Sequence, residues 1–257
     1  VLIMEQTIFS MSERVIVCSV HGKQTERGVF SKWFGCPVCN EDRLAAEERE
    51  AFEQAKLDNI KSAGIPSLYD NSSLKSWNIT DERQQRILMR AMEYAKTIGD
   101  LPAAPNLVLS GTTGTGKTHI AASVLRMAAR QSARKRLLSC QYVTGAQIMA
   151  EIRASWDVKT RSKHEAEILR HYGNVKVLVI DEIGVSDRIN GSQDIWSTIF
   201  DMRYREKLPT IITTNLDKAQ LQHHLGDRAY DRLMERCVWA NCAWQSYRQF
   251  CADVEEL

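Results

Sequence analysis

No apolar run in the sequence approaches the roughly 18 residues that a membrane-spanning helix needs, and neither sign of charge dominates. Lysine and arginine number 34 against 32 aspartates and glutamates, so the net charge is only +2. That balance neither demands nor excludes nucleic acid as a partner, because a local basic stripe can sit on a near-neutral protein. Internal repeats and low-complexity tracts are also missing, which leaves no basis for a solenoid or a disordered array. The opening Val1-Leu2-Ile3-Met4 is apolar but short, and it lacks the basic stretch of a secretory signal. The cytoplasm is therefore the expected compartment, with Met4 or Met11 as candidate initiators. Without a secretory signal, the odd count of seven cysteines speaks for reduced thiols or metal ligands rather than a disulfide framework.

What is present divides into three textures. Residues 13–40 carry glycine, cysteine and aromatics with short alternating runs such as Arg14-Val15-Ile16-Val17-Cys18, which read as small strands. Residues 41–63 are rich in alanine, glutamate and lysine, so they read as a helix. Its apolar positions are sparse (Leu44, Phe52, Leu57, Ile60), as in a connector or partner-docking element. Gly64-Ile65-Pro66 ends it, since proline cannot continue a helix. From residue 64 to 257 helix and strand patterns alternate. Helices are expected at 81–98, 117–131, across 145–172 and at 192–206, and strands at 106–110, 137–143, 175–180 and 210–214. The fold class is α/β, a parallel sheet covered by helices on both faces.

Gly111-Thr112-Thr113-Gly114-Thr115-Gly116-Lys117-Thr118 fits the phosphate-loop pattern G-x-x-x-x-G-K-[ST] at every defined position. Glycines let backbone N–H groups curl around phosphate oxygens, and the helix that follows adds its positive end. Lys117 is the candidate for the β- and γ-phosphates of ATP, and the Thr118 hydroxyl for Mg²⁺. The run Val177-Leu178-Val179-Ile180-Asp181-Glu182 ends a buried strand with two carboxylates. Asp181 is placed for the Mg²⁺ shell and Glu182 to polarise the attacking water. Asn215, after the strand at 210–214, is a candidate bridge between γ-phosphate and water; the alternative is a residue that merely turns the chain. Arg228 and Arg232 lie four residues apart on one helical face, where local pairing with Asp227 and Asp231 is the plainer alternative.

Near the start, Cys18-Ser19-Val20-His21 and Cys36-Pro37-Val38-Cys39 form two short-spaced pairs. Three thiolates and one imidazole on such turns can close a structural Zn²⁺ site, because all four positions are filled by protein. Cys140, Cys237, Cys242 and Cys251 read as core or incidental thiols.

The order of phosphate loop, acidic strand and polar-ended strand resembles the AAA+ ATPases. Within them, the chain is similar to the DnaC-type loaders of the bacterial replicative helicase. The resemblance rests on His119 after the loop, on Val179-Ile180-Asp181-Glu182-Ile183-Gly184, on Leu225-Gly226-Asp227-Arg228-Ala229-Tyr230-Asp231-Arg232-Leu233, and on Trp244-Gln245-Ser246-Tyr247-Arg248. It spans about residues 64–250, and the short stretch after Asn215 matches the lidless build of the loaders. The resemblance implies that Arg228 or Arg232 reaches into a neighbouring subunit's ATP site, and that Arg248 senses the nucleotide phosphates. It also implies ATP-dependent homo-oligomers that grip single-stranded DNA and deliver a replicative helicase. Two basic groups fit DNA binding: Arg126, Arg130, Arg134, Lys135 and Arg136 as a helical stripe, and Lys159, Arg161 and Lys163 flanked by Tyr142 and Trp156 as stacking groups. A solvated helix face is the alternative for each. The zinc ligands depart from the best-known loader, whose N-terminal region is expected to be helical and metal-free; a zinc-bearing variant matches better. The rivals are an IstB-type transposition helper acting on double-stranded DNA, a phosphate-loop kinase of small molecules, and a zinc-anchored adaptor that holds ATP only structurally.

Overall fold

The computed structural model describes residues 11–30, 32–77, 79–133, 136–156, 164–187 and 189–247. Contact density divides the chain into two compact units, 1–55 and 56–257. In the first, β1 (Met11–Cys18) pairs antiparallel with β2 (Gly22–Val29), and β2 with the short β3 (Lys32–Trp33). Helix α1 (Pro37–Ser62) follows directly, and its first turn already contains Cys39. Among the described residues of this unit only Glu26, Gly28 and Cys36 are buried. Glu26 accepts hydrogen bonds from Arg14 Nε at 2.6 Å and Gly35 N at 2.5 Å.

The second unit opens with α2 (Glu82–Thr97), capped by the Asp81 side chain, which accepts from Arg83 N at 2.6 Å. There follow β4 (Asn106–Ser110), α3 (Lys117–Ala129), the short pair β5 (Ser132–Ala133) and β6 (Arg136–Leu137), β7 (Cys140–Thr144), α4 (Gly145–Trp156) and α5 (Glu165–Asn174). The chain continues through β8 (Val177–Ile183), α6 (Ser192–Arg205), β9 (Thr210–Thr214), α7 (Lys218–Leu225), α8 (Asp227–Met234) and β10 (Cys237–Asn241).

Five strands form a parallel sheet in the order β10-β4-β9-β8-β7. Alternation along each strand splits the core in two. Leu107, Leu109, Val177, Val179 and Ile211 pack with residues of α2 and α3, whereas Val108, Leu178, Ile180 and Ile212 pack with residues of α4 to α8. Arg203, only 1% exposed, ties α5, α6 and β9 together by donating to Tyr172 O, Val175 O, Pro209 O and Thr210 Oγ1. Among the described residues no helix is long and apolar enough to cross a membrane.

Three expectations change. The fifth strand, β10, is absent from the sequence reading; it gains its partner only by pairing with β4, more than a hundred residues earlier. The arginine stripe does not continue past Arg130, because α3 ends at Ala129 and the chain enters β5. Tyr142 is no stacking group: it is buried inside the sheet layer, 6% exposed. Arg134, Lys135, Lys159, Arg161, Lys163, Arg248 and Cys251 lie outside the described residues.

Candidate functional site

Apolar β4 delivers the chain to the loop 111–118 at the carboxyl edge of the sheet, where open α/β folds bind ligands. The loop's glycines are there for space as well as for positive φ. A Cβ on Gly111 would stand 2.3 Å from Cys242 O, one on Gly114 1.9 Å from Ser246 Oγ, and one on Gly116 2.9 Å from Trp77 Nε1. The segment after β10 therefore lies against the outside of the loop, tied by Cys242 N donating to Ser110 O at 2.6 Å and Tyr247 N to Gly114 O at 3.0 Å. Gly116 takes φ 84° at the start of α3, so the first amides of that helix face the loop.

Lys117 Nζ donates to Gly111 O at 2.8 Å, Thr112 O at 2.7 Å and Asn215 Oδ1 at 2.9 Å. The ammonium thus sits between the loop and the end of β9, joining the first and third motifs of the site. His119 meets Ser73 O at 3.1 Å, fastening the start of α3 to the segment that precedes α2.

Asp181 is 4% exposed and surrounded by hydroxyls. Its carboxylate accepts from Thr118 Oγ1 at 3.0 Å, from Tyr142 OH at 2.5 Å and from Thr213 Oγ1. Burial, reinforced by the Asp181 carboxylate, raises the Tyr142 hydroxyl well above the usual phenol range, so it acts as a neutral donor. Thr213 did not stand out in the sequence and Tyr142 stood out only as a base-stacking group; the register of β7, β8 and β9 brings both to one carboxylate. Glu182 points the other way. One extra residue bulges β8 between Ile180 and Ile183, and Glu182 adopts φ 56°, with its N–H on Thr213 Oγ1 at 2.9 Å. Positive φ in a non-glycine is uncommon and strained. Here it turns one carboxylate of the pair into the core and the other into the open.

A cavity of about 420 Å³ lies over the loop. The residues 113–119, Glu182 and Asn215 line its polar side, and Leu68, Tyr69, Trp77 and Tyr247 its apolar side. Trp77 is braced by Trp244, with ring centroids 5.9 Å apart. The donors, the glycine cradle and the volume suit a nucleoside triphosphate, with Thr118 and Asp181 as the residues to hold Mg²⁺. When bound, Mg²⁺ would neutralise charge on the β- and γ-phosphates.

Arg228 and Arg232 do not line this cavity. Their local partner is neither Asp227 nor Asp231 but Asp201 on α6. Arg228 Nη2 lies 3.3 Å from Asp201 Oδ2 and Arg232 Nε 3.6 Å from Oδ1. Arg232 also stacks 4.4 Å from the centre of the Tyr204 ring.

In the first unit, Cys18, His21, Cys36 and Cys39 bring their ligand atoms within 4.8 Å of one another. Cys18 Sγ and Cys39 Sγ are 3.5 Å apart, and His21 Nδ1 is 3.3 Å from Cys39 Sγ, 3.7 Å from Cys36 Sγ and 3.8 Å from Cys18 Sγ. Such edges suit a tetrahedron with Zn–S bonds of about 2.3 Å. His21 Nε2 faces Asp42 Oδ2 at 3.5 Å, the carboxylate–histidine arrangement that steers an imidazole ligand. Hydrogen bonds from the backbone of His21 and Val20 pull the Cys18 thiol down to about 6, while its bond to Cys18 pushes Cys39 up to about 12. Thiols this close do not all ionise without a cation among them. Trp33 is half-buried under the Arg14 guanidinium at 4.2 Å; Phe34 is exposed.

A family model described as IstB-like ATP binding protein matches residues 38–251, and so leaves Cys18, His21 and Cys36 outside it. The chain is 30% identical over 207 residues to the replicative helicase loader DnaC of Escherichia coli, covering 80% of this chain and 81% of that one. The solved structure of a DnaC helicase loader superposes with a TM-score of 0.59 at 21% identity, over 68% of this chain and 99% of that one. A DnaI structure gives 0.56 at 23% identity, over 69% and 94%.

Proposed function

The chain belongs to the family of IstB-like ATP-binding proteins and is an AAA+ ATPase; from that premise we propose that it is a helicase loader of DNA replication. In this reading ATP-bound protomers assemble, hold single-stranded DNA and deliver a replicative hexameric helicase. The observation that carries it is the likeness to DnaC over four-fifths of both chains. Residues 111–119 hold the nucleotide, with Lys117 on the β- and γ-phosphates. Thr118 and Asp181 hold Mg²⁺, Glu182 orients water, Asn215 senses the γ-phosphate, and Arg248 contacts the phosphates. Arg232, with Arg228, acts on a neighbour's nucleotide, where an arginine supplied from outside stabilises transition-state charge. Residues 1–40 form a zinc module, 41–63 a helical connector and 64–257 the ATPase. The exposed Phe34 beside Cys36 supports a role for the zinc module in capturing the helicase.

The test is transfer of a hexameric helicase onto circular single-stranded DNA, which has no end to thread. The full chain with ATP should promote transfer, and removal of residues 1–63 should abolish helicase capture while ATP binding persists. The family model's description keeps one alternative in play, an IstB-like transposition helper. ATP-dependent binding to double-stranded DNA without helicase capture would favour that reading and sink the loader.

A further inference from the structure

One carboxylate on α6 faces three guanidiniums. Besides Arg228 and Arg232, Asp201 pairs with Arg205 one helical turn further on. Arg228 and Arg232 stand four residues apart on α8, where like charges repel. They nevertheless converge on the same group, which is only 13% exposed while Arg228 is 63% and Arg232 33% exposed. Asp194 lines the same groove as Asp201, Arg205 and Arg228, so three guanidiniums, Arg232 included, stand against two carboxylates and leave one positive charge that a polyanion can take up. The adjoining cleft, about 210 Å³, has the same sign: Arg205, Lys207, Arg232 and Arg236 line it, with Glu235 as its one acid.

The way Arg232 is held points in the same direction. Its Nε is buried, makes no hydrogen bond and relies on the ion pair and the Tyr204 ring. The Glu235 carboxylate beside it holds the Tyr204 hydroxyl above the usual phenol range. A guanidinium held by charge and stacking is aimed without being saturated, and it keeps donors for a second anion.

We infer that Asp201 is a positioning residue that, with Tyr204, aims Arg228 and Arg232 at the polyphosphate of a neighbouring protomer's nucleotide. The inference rests on the reading of Arg232 as a group acting between protomers. Its Arg205 and Arg228 partners are largely exposed, and ion pairs to such groups add little to stability, so the value of Asp201 lies in orientation, where a small misplacement carries a large rate penalty.

The experiment uses the full chain as Asp201→Asn, which keeps the side chain's shape and removes its charge. Turnover of Mg²⁺-ATP should fall roughly ten- to hundredfold, while affinity for a fluorescent ATP analogue and the melting temperature stay near the parent's. Mixing with Lys117→Ala protein, whose arginines are intact, should restore part of the turnover. Tyr204→Phe should keep most of the rate and Tyr204→Leu should lose part of it. Parental or faster turnover in Asp201→Asn overturns the inference, as does a loss of ATP affinity, a large drop in melting temperature, or failure of the mixture to recover. The control is Arg232→Ala mixed with Lys117→Ala. If that control recovers while Asp201→Asn is fully active, only the role of Asp201 falls. If the control does not recover, action between protomers falls, and the role of Asp201 with it.

Discussion

The two ligand sites of this chain are built by opposite means. At the phosphate loop, a sheet buried on both faces fixes the backbone, and two central side chains are held by protein before any ligand arrives: Lys117 has three acceptors and Asp181 three hydroxyl donors. Among the described residues of the N-terminal unit only Glu26, Gly28 and Cys36 are buried, and Glu26 bears a carboxylate. Met11, Val15, Val17 and Val20 lie exposed there. Four ligand side chains stand where a core would be. One site is a product of the fold; the other gathers its four ligand atoms in a unit whose described residues bury little else.

Removing metal should break this contrast most sharply. Structural zinc contributes on the order of 10 kcal/mol to small modules, so chelation, or the double change Cys36→Ser/Cys39→Ser, should unfold residues 11–36 and leave ATP binding intact. Metal analysis with hydrogen exchange checks both halves; a metal-free protein with a protected hairpin would refute the assignment. Next in size, Lys117→Ala should weaken ATP binding by roughly a hundredfold or more, since a buried charged donor is lost. Glu182→Gln should bind ATP normally and fail to hydrolyse it. Equal loss of affinity in both variants would remove the water-orienting role. Thr213→Val deprives Asp181 and the Glu182 amide of one hydroxyl at once, and should cost about 1–3 kcal/mol in stability, read by denaturant melts. Smallest is Tyr142→Phe, expected at about 1 kcal/mol with a changed Mg²⁺ requirement. An unaltered Mg²⁺ titration would reduce Tyr142 to a packing residue.

Much of the candidate ATP site's layout was legible because it depends on local order: strand, glycines, lysine, hydroxyl in eight consecutive residues. The strands at 106–110 and 210–214 were placed to the residue for a similar reason, since their apolar runs are bounded by turn-forming neighbours. What escaped depends on pairing between distant segments. Cys237-Val238-Trp239-Ala240-Asn241 has no alternation that marks it as a sheet edge, and β4 alone makes it one. Tyr142 beside a basic cluster suggested stacking on bases, but strand register turned its hydroxyl to Asp181. The partner of Arg228 and Arg232 was sought among sequence neighbours and lay on another helix. The arginine stripe failed because a spacing of four is helical only where a helix continues.

The placement of Cys237–Asn241 and the segment after it has a consequence for how the protein is made. The glycine loop emerges from the ribosome more than a hundred residues before the strand that flanks β4 and the Ser246 and Tyr247 that back Gly114. Synthesis runs from the N-terminus at about 5–20 residues per second, so the nascent loop waits several seconds without its outer wall. Until Cys237–Asn241 docks, the loop lacks the contacts from Cys242, Ser246 and Tyr247 that back it. A ribosome that stalls before residue 237 releases a chain that carries the whole phosphate-binding motif and lacks the wall that shapes it.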